Sequence, residues 1–142
     1  MFKSTELKIC LALQKNITRN EIGYSITSSE YLLSFHTSFY EIYGGRVFDL
    51  LNNRKQVQLM EDRNQKIQIQ GLTSHEVNSA AELIECMEYG HSVRTTHSTT
   101  SNDTSSRSHA ICQIIIKQNS GSSSRTIGKL TLVDLAVMKL KF

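Results

Sequence analysis

YLLSFHTSFYEIY, residues 31–43, combines aromatic and aliphatic side chains in a run that favours extended backbone. Its apolar residues fall on both faces of such a strand: Leu33, Phe35 and Phe39 on one, and Leu32, Tyr40 and Ile42 on the other. A strand that is apolar on both faces usually lies in the middle of its sheet. The run therefore predicts a central strand, which Gly44 and Gly45 end.

The residues that follow predict a short turn and then a hairpin. VFDLL (47–51) has the compact apolar pattern of one helical turn. VQLM (57–60) and KIQIQ (66–70) alternate polar and apolar residues, and the mostly charged residues 61–65 separate them. Alternation of this kind indicates two paired strands joined by a polar turn. We therefore expect a hairpin with a charged tip.

Two other segments have helical patterns. In residues 4–16 the apolar positions recur at helical spacing. Further along, Ser79 and Glu82 form an S-x-x-E capping box ahead of an apolar run, and Gly90 stands where a helix would stop. We expect helices at both places, the second of them ending at Gly90.

Serine and threonine supply eleven of the seventeen residues from 92 to 108. Because their hydroxyls bond to nearby backbone groups and favour turns, this stretch predicts a long loop. The segments 109–117 and 126–136 then read as strands, and the flexible turn 119–125 joins them into an antiparallel pair. The order of the elements predicts an α/β fold with a mixed central β-sheet and flanking helices.

The bulk composition allows a folded domain and excludes few partners. The chain has 142 residues, a length typical of one domain, and a net charge of +3, which permits binding to an acidic polymer. The three cysteines, Cys10, Cys86 and Cys112, lack metal-ligand spacing, and we expect buried, reduced thiols in a cytosolic protein. No apolar run approaches the roughly 18 residues of a membrane span. We expect no membrane partner.

Chemistry could be concentrated in two segments. Residues 102–109 hold several hydroxyls, an arginine and a histidine directly before a strand; a hydroxyl can ligate Mg²⁺, and a guanidinium can hold phosphate. LTLVDLA (130–136) carries Asp134 near its end, where P-loop nucleotidases hold the magnesium shell. Each has a plainer alternative: a solvated serine-rich loop or phosphorylation site, and an aspartate that leaves a strand into a turn.

Together these stretches resemble kinesin motor domains. NDTSSRSH (102–109) resembles the first switch loop of that family, and DLA (134–136) resembles the start of its second. SFYEIYGGRVFDLLN (38–52) is similar to the kinesin strand and short helix, and GLTSHEVNSAAELIECMEYGHSVRTT (71–96) to the helix that leads into the first switch. The resemblance spans residues 31–136 in unbroken order and implies a partial P-loop-type motor domain.

The resemblance implies a site for ATP and Mg²⁺. Its nucleotide-switch residues would be Asn102, Ser105, Ser106, Arg107, Ser108, His109 and Asp134. Ser105 and Ser106 would approach Mg²⁺ and the γ-phosphate, and Asp134 would hold the metal through water. Arg107 would pair with a second-switch glutamate, and Asn102 would help to order the loop.

The resemblance also implies a partner. EDRNQKIQIQGL (61–72) is most similar to the internal-motor kinesins that depolymerise microtubule ends. Arg63 and Lys66 at the hairpin tip would face tubulin, whose surface is acidic, although a solvated turn is the alternative for each. We expect microtubules as the partner, no nucleic acid, and a location in the cytoplasm on the cytoskeleton.

The sequence departs from the family pattern at two places. The phosphate-binding loop G-x-x-x-x-G-K-[ST] is absent. Where the family's second switch reads D-L-A-G-x-E, this chain has Val137 and Lys139, and the lysine reverses the charge that would face Arg107. We therefore expect residues 1–136 to be a motor domain truncated at both ends, residues 137–142 to be a divergent tail, and the chain alone not to hydrolyse ATP.

Other functions stay open from the sequence. The chain could be a tubulin-binding pseudomotor without enzymatic activity, or a truncated gene product without function. A third possibility is a Ser/His hydrolase that uses Ser108 or His109. Against it, the sequence has no G-x-S-x-G elbow, and adjacent residues of a strand point to opposite faces.

Overall fold

The computed structural model describes residues 32–98 and 108–135, and in them seven strands and one helix. In chain order the elements are β1 (Leu32–Tyr43), β2 (Arg46–Asp49), β3 (Lys55–Glu61), β4 (Ile67–Gln70), β5 (His75–Val77), α1 (Ala80–Ser98), β6 (Ser108–Ser120) and β7 (Ser123–Asp134). They form one sheet in the order β4-β3-β2-β1-β6-β7, and β5 pairs with β1 beside β2. The sequence-predicted helix 4–16 lies outside the described residues.

Strand β1 is central in this sheet, as the sequence predicts. Along one edge it pairs with β6 from Leu32 opposite Asn119 to Tyr43 opposite Ser108. Along the other edge it pairs with β2 and β5. Every pairing between described strands is antiparallel, so the parallel pairs of a mixed sheet do not occur within residues 32–98 and 108–135.

The sheet buries apolar side chains on both faces. On one face Phe35 and Phe39 of β1 pack with Leu83 and Met87 of α1 in the larger cluster. On the other face a smaller cluster contains Tyr40, Val47, Val57 and Ile111. The helix therefore covers one face of β1, and the strands β2, β3 and β6 supply the apolar contacts of the other.

The start of α1 follows the capping pattern read from the sequence. The Ser79 hydroxyl accepts a hydrogen bond from the Glu82 backbone N–H at 3.1 Å. The Glu82 carboxylate in turn accepts one from the Asn78 backbone N–H at 2.8 Å, one residue before the position that a strict capping box would use. Both bonds satisfy donors at the helix start, and the predicted N-terminus is confirmed.

The predicted end of this helix is wrong. Helix α1 passes Gly90 and ends at Ser98, so residues 92–98 are helical rather than part of a loop. Gly90 is a packing position: a Cβ atom there would lie 2.2 Å from Cδ1 of Phe39. The helix continues past Gly90 because Val93 packs against the core and Arg94 bonds to Ser108 and Asp134, and these contacts outweigh the weak helix preference of serine and threonine.

The helical turn predicted for residues 47–51 is also wrong. Val47 and Asp49 belong to strand β2, which pairs with β1 on one side and β3 on the other. Gly44 and Gly45 both have positive φ, and they reverse the chain into this hairpin. The turn comes later, at residues 50–54, where the buried Asp49 carboxylate accepts a hydrogen bond from the Leu51 N–H at 2.9 Å.

The two predicted hairpins are confirmed, but the flexible turn predicted at residues 119–125 is wrong: β6 extends to Ser120 and β7 begins at Ser123, because residues 118–120 pair with residues 123–125. Strands β3 and β4 pair antiparallel from Gln58 opposite Gln70 to Glu61 opposite Ile67. Strands β6 and β7 pair over almost their full length, with a bulge at Ile116 and Lys117. Within the part of the chain that the structure describes, no helix is long and apolar enough to cross a membrane.

Candidate functional site

The two segments singled out in the sequence meet at one end of the sheet. Ser108 is the first residue of β6 and lies opposite Tyr43, the last residue of β1. Asp134 is the last residue of β7 and pairs with Ala110 of β6. Because β6 begins where β7 ends, Ser108 and Asp134 lie at the same end of the sheet. We call this end of the sheet the switch edge.

Arg94 of helix α1 joins the two segments at the switch edge. Its Nη1 donates a hydrogen bond to Oδ2 of Asp134 at 3.1 Å. Its Nη2 donates to the backbone oxygen and to Oγ of Ser108, each at 2.9 Å, and its Nε donates to the same Oγ at 3.2 Å. The Arg94 side chain is 11 % exposed and the Asp134 side chain 39 %, so one partly buried guanidinium holds both strand ends.

A buried carboxylate lies behind Arg94. Glu41 of β1 is fully buried, and its Oε1 forms an ion pair with Nε of Arg54. Its Oε2 lies 3.8 Å from Nε of Arg94 and has no hydrogen-bond partner among the described residues. The Arg54 guanidinium also stacks over the Phe48 ring, 4.4 Å from the ring centroid, which fixes its position.

Arg94 and Glu41 were missed in the sequence reading. A signal for Glu41 was present, because a carboxylate inside an apolar strand requires a buried cation as partner. A weaker signal for Arg94 was its position as the one Asp, Glu, Lys or Arg between Glu88 and Asp103. Neither signal identifies the partner, because the contacts join residues 14 and 40 positions apart in the chain.

Two histidines lie near this edge: His109 of β6, which lies opposite Ile42 of β1, and His91 of α1. The His91 ring meets the Phe39 ring edge to face, with centroids 5.0 Å apart. Burial lowers the pKa of His91, and the positive charge of Arg94 lowers it further. Ser108 is fully buried, and its Oγ accepts hydrogen bonds from Arg94. A hydroxyl in that position does not suit the nucleophile of the Ser108–His109 hydrolase considered from the sequence.

The other predicted switch residues cannot be placed. Asn102, Ser105, Ser106 and Arg107 lie outside the described residues, and their roles stay predictions. Among the described residues, no group of three or more His, Cys, Asp or Glu side chains could hold a metal ion. Asp134 contributes one half-exposed carboxylate, a hard oxygen donor. That donor fits a contact to Mg²⁺ through water, since Mg²⁺ retains several waters in proteins.

The hairpin tip between β3 and β4 is the second candidate region. Oδ1 of Asp62 accepts hydrogen bonds from the backbone N–H groups of Asn64 and Lys66, at 2.8 and 3.0 Å. These bonds lower the pKa of Asp62, because they stabilise the ionised carboxylate. Arg63 and Lys66 are both exposed on this turn. The tip therefore exposes two cationic side chains on a turn whose backbone is held by the Asp62 carboxylate.

Comparison with known proteins identifies the family. A model of the kinesin motor domain matches residues 9–139. The kinesin-like protein KIN-13B of Arabidopsis thaliana is 43 % identical over 103 residues, which cover 70 % of this chain and 15 % of that protein. A solved fast kinesin, studied for its ATPase mechanism and interactions with microtubules, is 28 % identical with a TM-score of 0.66; the match covers 87 % of this chain and 36 % of that one. The chain therefore spans a minor part of either relative.

Proposed function

The chain belongs to the kinesin motor domain family, and on that basis we propose that it carries the switch edge and a tubulin-binding hairpin of a microtubule-dependent ATPase. The similarity to KIN-13B supports a parent of the internal-motor kind, which depolymerises microtubule ends. One observation carries the proposal: Arg94 holds together the strand ends from which both switch segments leave, Ser108 and Asp134.

The proposed nucleotide site lies beyond this edge. By the family resemblance, Ser105 and Ser106 would approach Mg²⁺ and the γ-phosphate, Asn102 would help to order the loop, and Asp134 would hold the metal through water. Bound Mg²⁺ supplies positive charge that offsets the charge of the phosphates. Arg94 orients the Asp134 carboxylate from the protein side, with its Nη1 on Oδ2 at 3.1 Å, so that the other oxygen, Oδ1, can face the ligand.

We propose that the 142 residues alone do not hydrolyse ATP. They lack the G-x-x-x-x-G-K-[ST] loop, whose amides and lysine cradle the triphosphate. Lys139 also stands where the family has the glutamate that would pair with Arg107. Phosphate release from the purified chain should stay at background with and without microtubules. Microtubule-stimulated release would overturn this proposal.

The alternative within this proposal is a tubulin-binding pseudomotor, in which the hairpin acts without nucleotide chemistry. The exposed Arg63 and Lys66 favour it, because their contacts need neither ATP nor an intact second switch. In both forms of the proposal the hairpin tip binds the acidic tubulin surface, and the protein resides on microtubules in the cytoplasm. The two forms differ only in whether ATP hydrolysis accompanies this binding.

Co-sedimentation with microtubules tests the hairpin. We expect the purified chain to pellet at low salt, and the Arg63→Glu/Lys66→Glu variant to bind about three- to tenfold more weakly, the scale of one or two exposed ion pairs. Arg125→Glu/Lys129→Glu is a matched control, since both residues are exposed on β7 and the charge change is the same. Absence of pelleting, or equal loss in both variants, would refute the hairpin contact.

A further inference from the structure

The switch edge contains more acceptor capacity than Arg94 uses. Arg94 lies between two carboxylates: its Nη1 is 3.1 Å from Oδ2 of Asp134, and its Nε is 3.8 Å from Oε2 of Glu41. That Glu41 oxygen is fully buried and accepts no hydrogen bond from residues 32–98 and 108–135. A buried acceptor without a donor is costly, so this arrangement favours any movement that brings a donor to it.

We propose that Glu41 is a second acceptor for Arg94, and that Arg94 exchanges between Asp134 and Glu41. In the described state the guanidinium holds Asp134. In the second state its Nε approaches Oε2 of Glu41 to a charge-assisted distance of about 2.9 Å, a shift of roughly 1 Å. Glu41 thus acts as a positioning residue, because it would reach the ligand site only through Arg94.

The bonding around Ser108 allows this shift. Oγ of Ser108 accepts from Nε of Arg94 at 3.2 Å and also from Nη2 at 2.9 Å. Nη2 donates to the Ser108 backbone oxygen as well, at 2.9 Å. When Nε turns to Glu41, Ser108 keeps its bonds to Nη2, so the helix stays attached to the start of β6 while the guanidinium changes its carboxylate.

The environment of Glu41 keeps the second acceptor oriented. Arg54 occupies Oε1 of Glu41 and is itself fixed over the Phe48 ring. The carboxylate cannot turn away without breaking that ion pair, and its free oxygen stays directed at Arg94. A buried cation that leaves one carboxylate for another avoids the large cost of an unpaired buried charge.

The exchange matters for the ligand side of the switch edge, and in this respect the inference rests on the proposed function. While Arg94 bonds to Oδ2 of Asp134, only Oδ1 can face a ligand, and the nearby positive charge weakens the attraction of that carboxylate for a cation. Transfer of Arg94 to Glu41 releases Asp134 for a hydrated divalent cation, the class of ligand that the proposed function places there. Glu41 would therefore set how readily Asp134 becomes available.

Removing the Asp134 acceptor should drive Arg94 to Glu41, and NMR of arginine side chains detects this without nucleotide or tubulin. In the chain labelled with ¹⁵N-arginine, we expect Asp134→Asn to shift the Arg94 Nε–H signal and to slow its exchange with solvent about tenfold, the effect of one buried charge-assisted bond. In Glu41→Gln/Asp134→Asn the slowing should disappear. The Arg54 Nε–H, paired with Oε1 of Glu41, should not change in Asp134→Asn and is the internal control.

Unchanged or faster exchange of the Arg94 Nε–H in Asp134→Asn would overturn the proposal. The same slowing with Gln at position 41 would also overturn it, because Glu41 would then not be the acceptor. If the double variant fails to fold, the ¹³C shift of the Glu41 carboxyl in Asp134→Asn decides: a shift supports the contact, and its absence refutes it. Since neither tubulin nor ATP is present, failure here leaves the microtubule-binding result unaffected.

Discussion

The switch edge and the hairpin tip are each organised by one charged side chain, in opposite environments. Arg94 donates to Ser108 and Asp134 from a site where its side chain is 11 % exposed, with the fully buried Glu41 behind it. Asp62 accepts from the backbone N–H groups of Asn64 and Lys66 on an exposed turn. The bond lengths are similar, but the bonds at the switch edge contribute more to stability, because water competes less with the partly buried Arg94 than with the exposed turn. Loss of Arg94 should therefore affect the whole domain, and loss of Asp62 only the local turn.

The largest expected effect follows from removing the guanidinium at the switch edge. Arg94→Met keeps most of the side-chain volume but leaves Ser108 without its donors and Glu41 with a single cation. Breaking a buried ion-pair network from one side costs about 3–5 kcal/mol of unfolding free energy. Urea unfolding followed by circular dichroism measures this loss. Arg125→Met on the exposed β7 should change stability by at most about 0.5 kcal/mol. Equal effects in the two variants would show that the partly buried Arg94 contributes no more to stability than an exposed arginine.

A second, smaller effect tests how closely helix α1 lies on the sheet. A Cβ at position 90 would lie 2.2 Å from Cδ1 of Phe39, so Gly90→Ala forces the helix and β1 apart. We expect a net loss of about 1–3 kcal/mol from overpacking, even though alanine favours a helix by about 1 kcal/mol over glycine. Thermal unfolding measures the change. Glu88→Ala, on the exposed side of the same helix, should be within about 0.5 kcal/mol of the parent.

A substitution of Phe39, the residue in contact with Gly90, tests the same packing from the side of the sheet. Phe39→Leu shortens the ring that Gly90 accommodates and should cost stability alone by leaving a cavity. Combined with Gly90→Ala, the two changes should be less costly than their sum, because each relieves the strain or void that the other creates. Additive costs in this double-mutant cycle would show that Phe39 is not what limits the size of the residue at position 90.

Local sequence patterns predicted the structural features that depend on neighbouring residues. The apolar run of β1, the alternation in the β3–β4 hairpin and the capping residues before α1 are local signals, and the structure confirms each. The family motif predicted the importance of Asp134, and the comparisons confirm the family. These features share one property: the residues that determine them lie within a few positions of each other.

The wrong predictions share the opposite property. Gly90 suggests a helix end only until Phe39, 51 positions earlier, is known to occupy the space that a side chain would fill. The apolar run at Val47 suggests a helical turn until its pairing with β1 and β3 is known. Arg94 has only a weak local signal, and its role follows from contacts to residues distant in sequence. Packing between elements decides such cases, and local propensity is too weak to oppose it.

The smallest expected effect is at the hairpin tip and depends on pH. The bonds from Lys66 and Asn64 lower the pKa of Asp62 below its ordinary 3.8, so the ionised form is favoured in the folded turn. For a carboxyl whose folded pKa is depressed, the stabilisation is present above the unfolded pKa and is lost as pH falls through the folded pKa. In an acid titration followed by NMR, the amide signals of Asn64 and Lys66 should therefore shift with a midpoint below 3.8. In Asp62→Asn these amides should show no such step, while the signals of Arg94 stay as in the parent. A midpoint at or above 3.8 would mean that the turn does not hold the carboxylate in solution, and the shape of the hairpin tip would then need another cause.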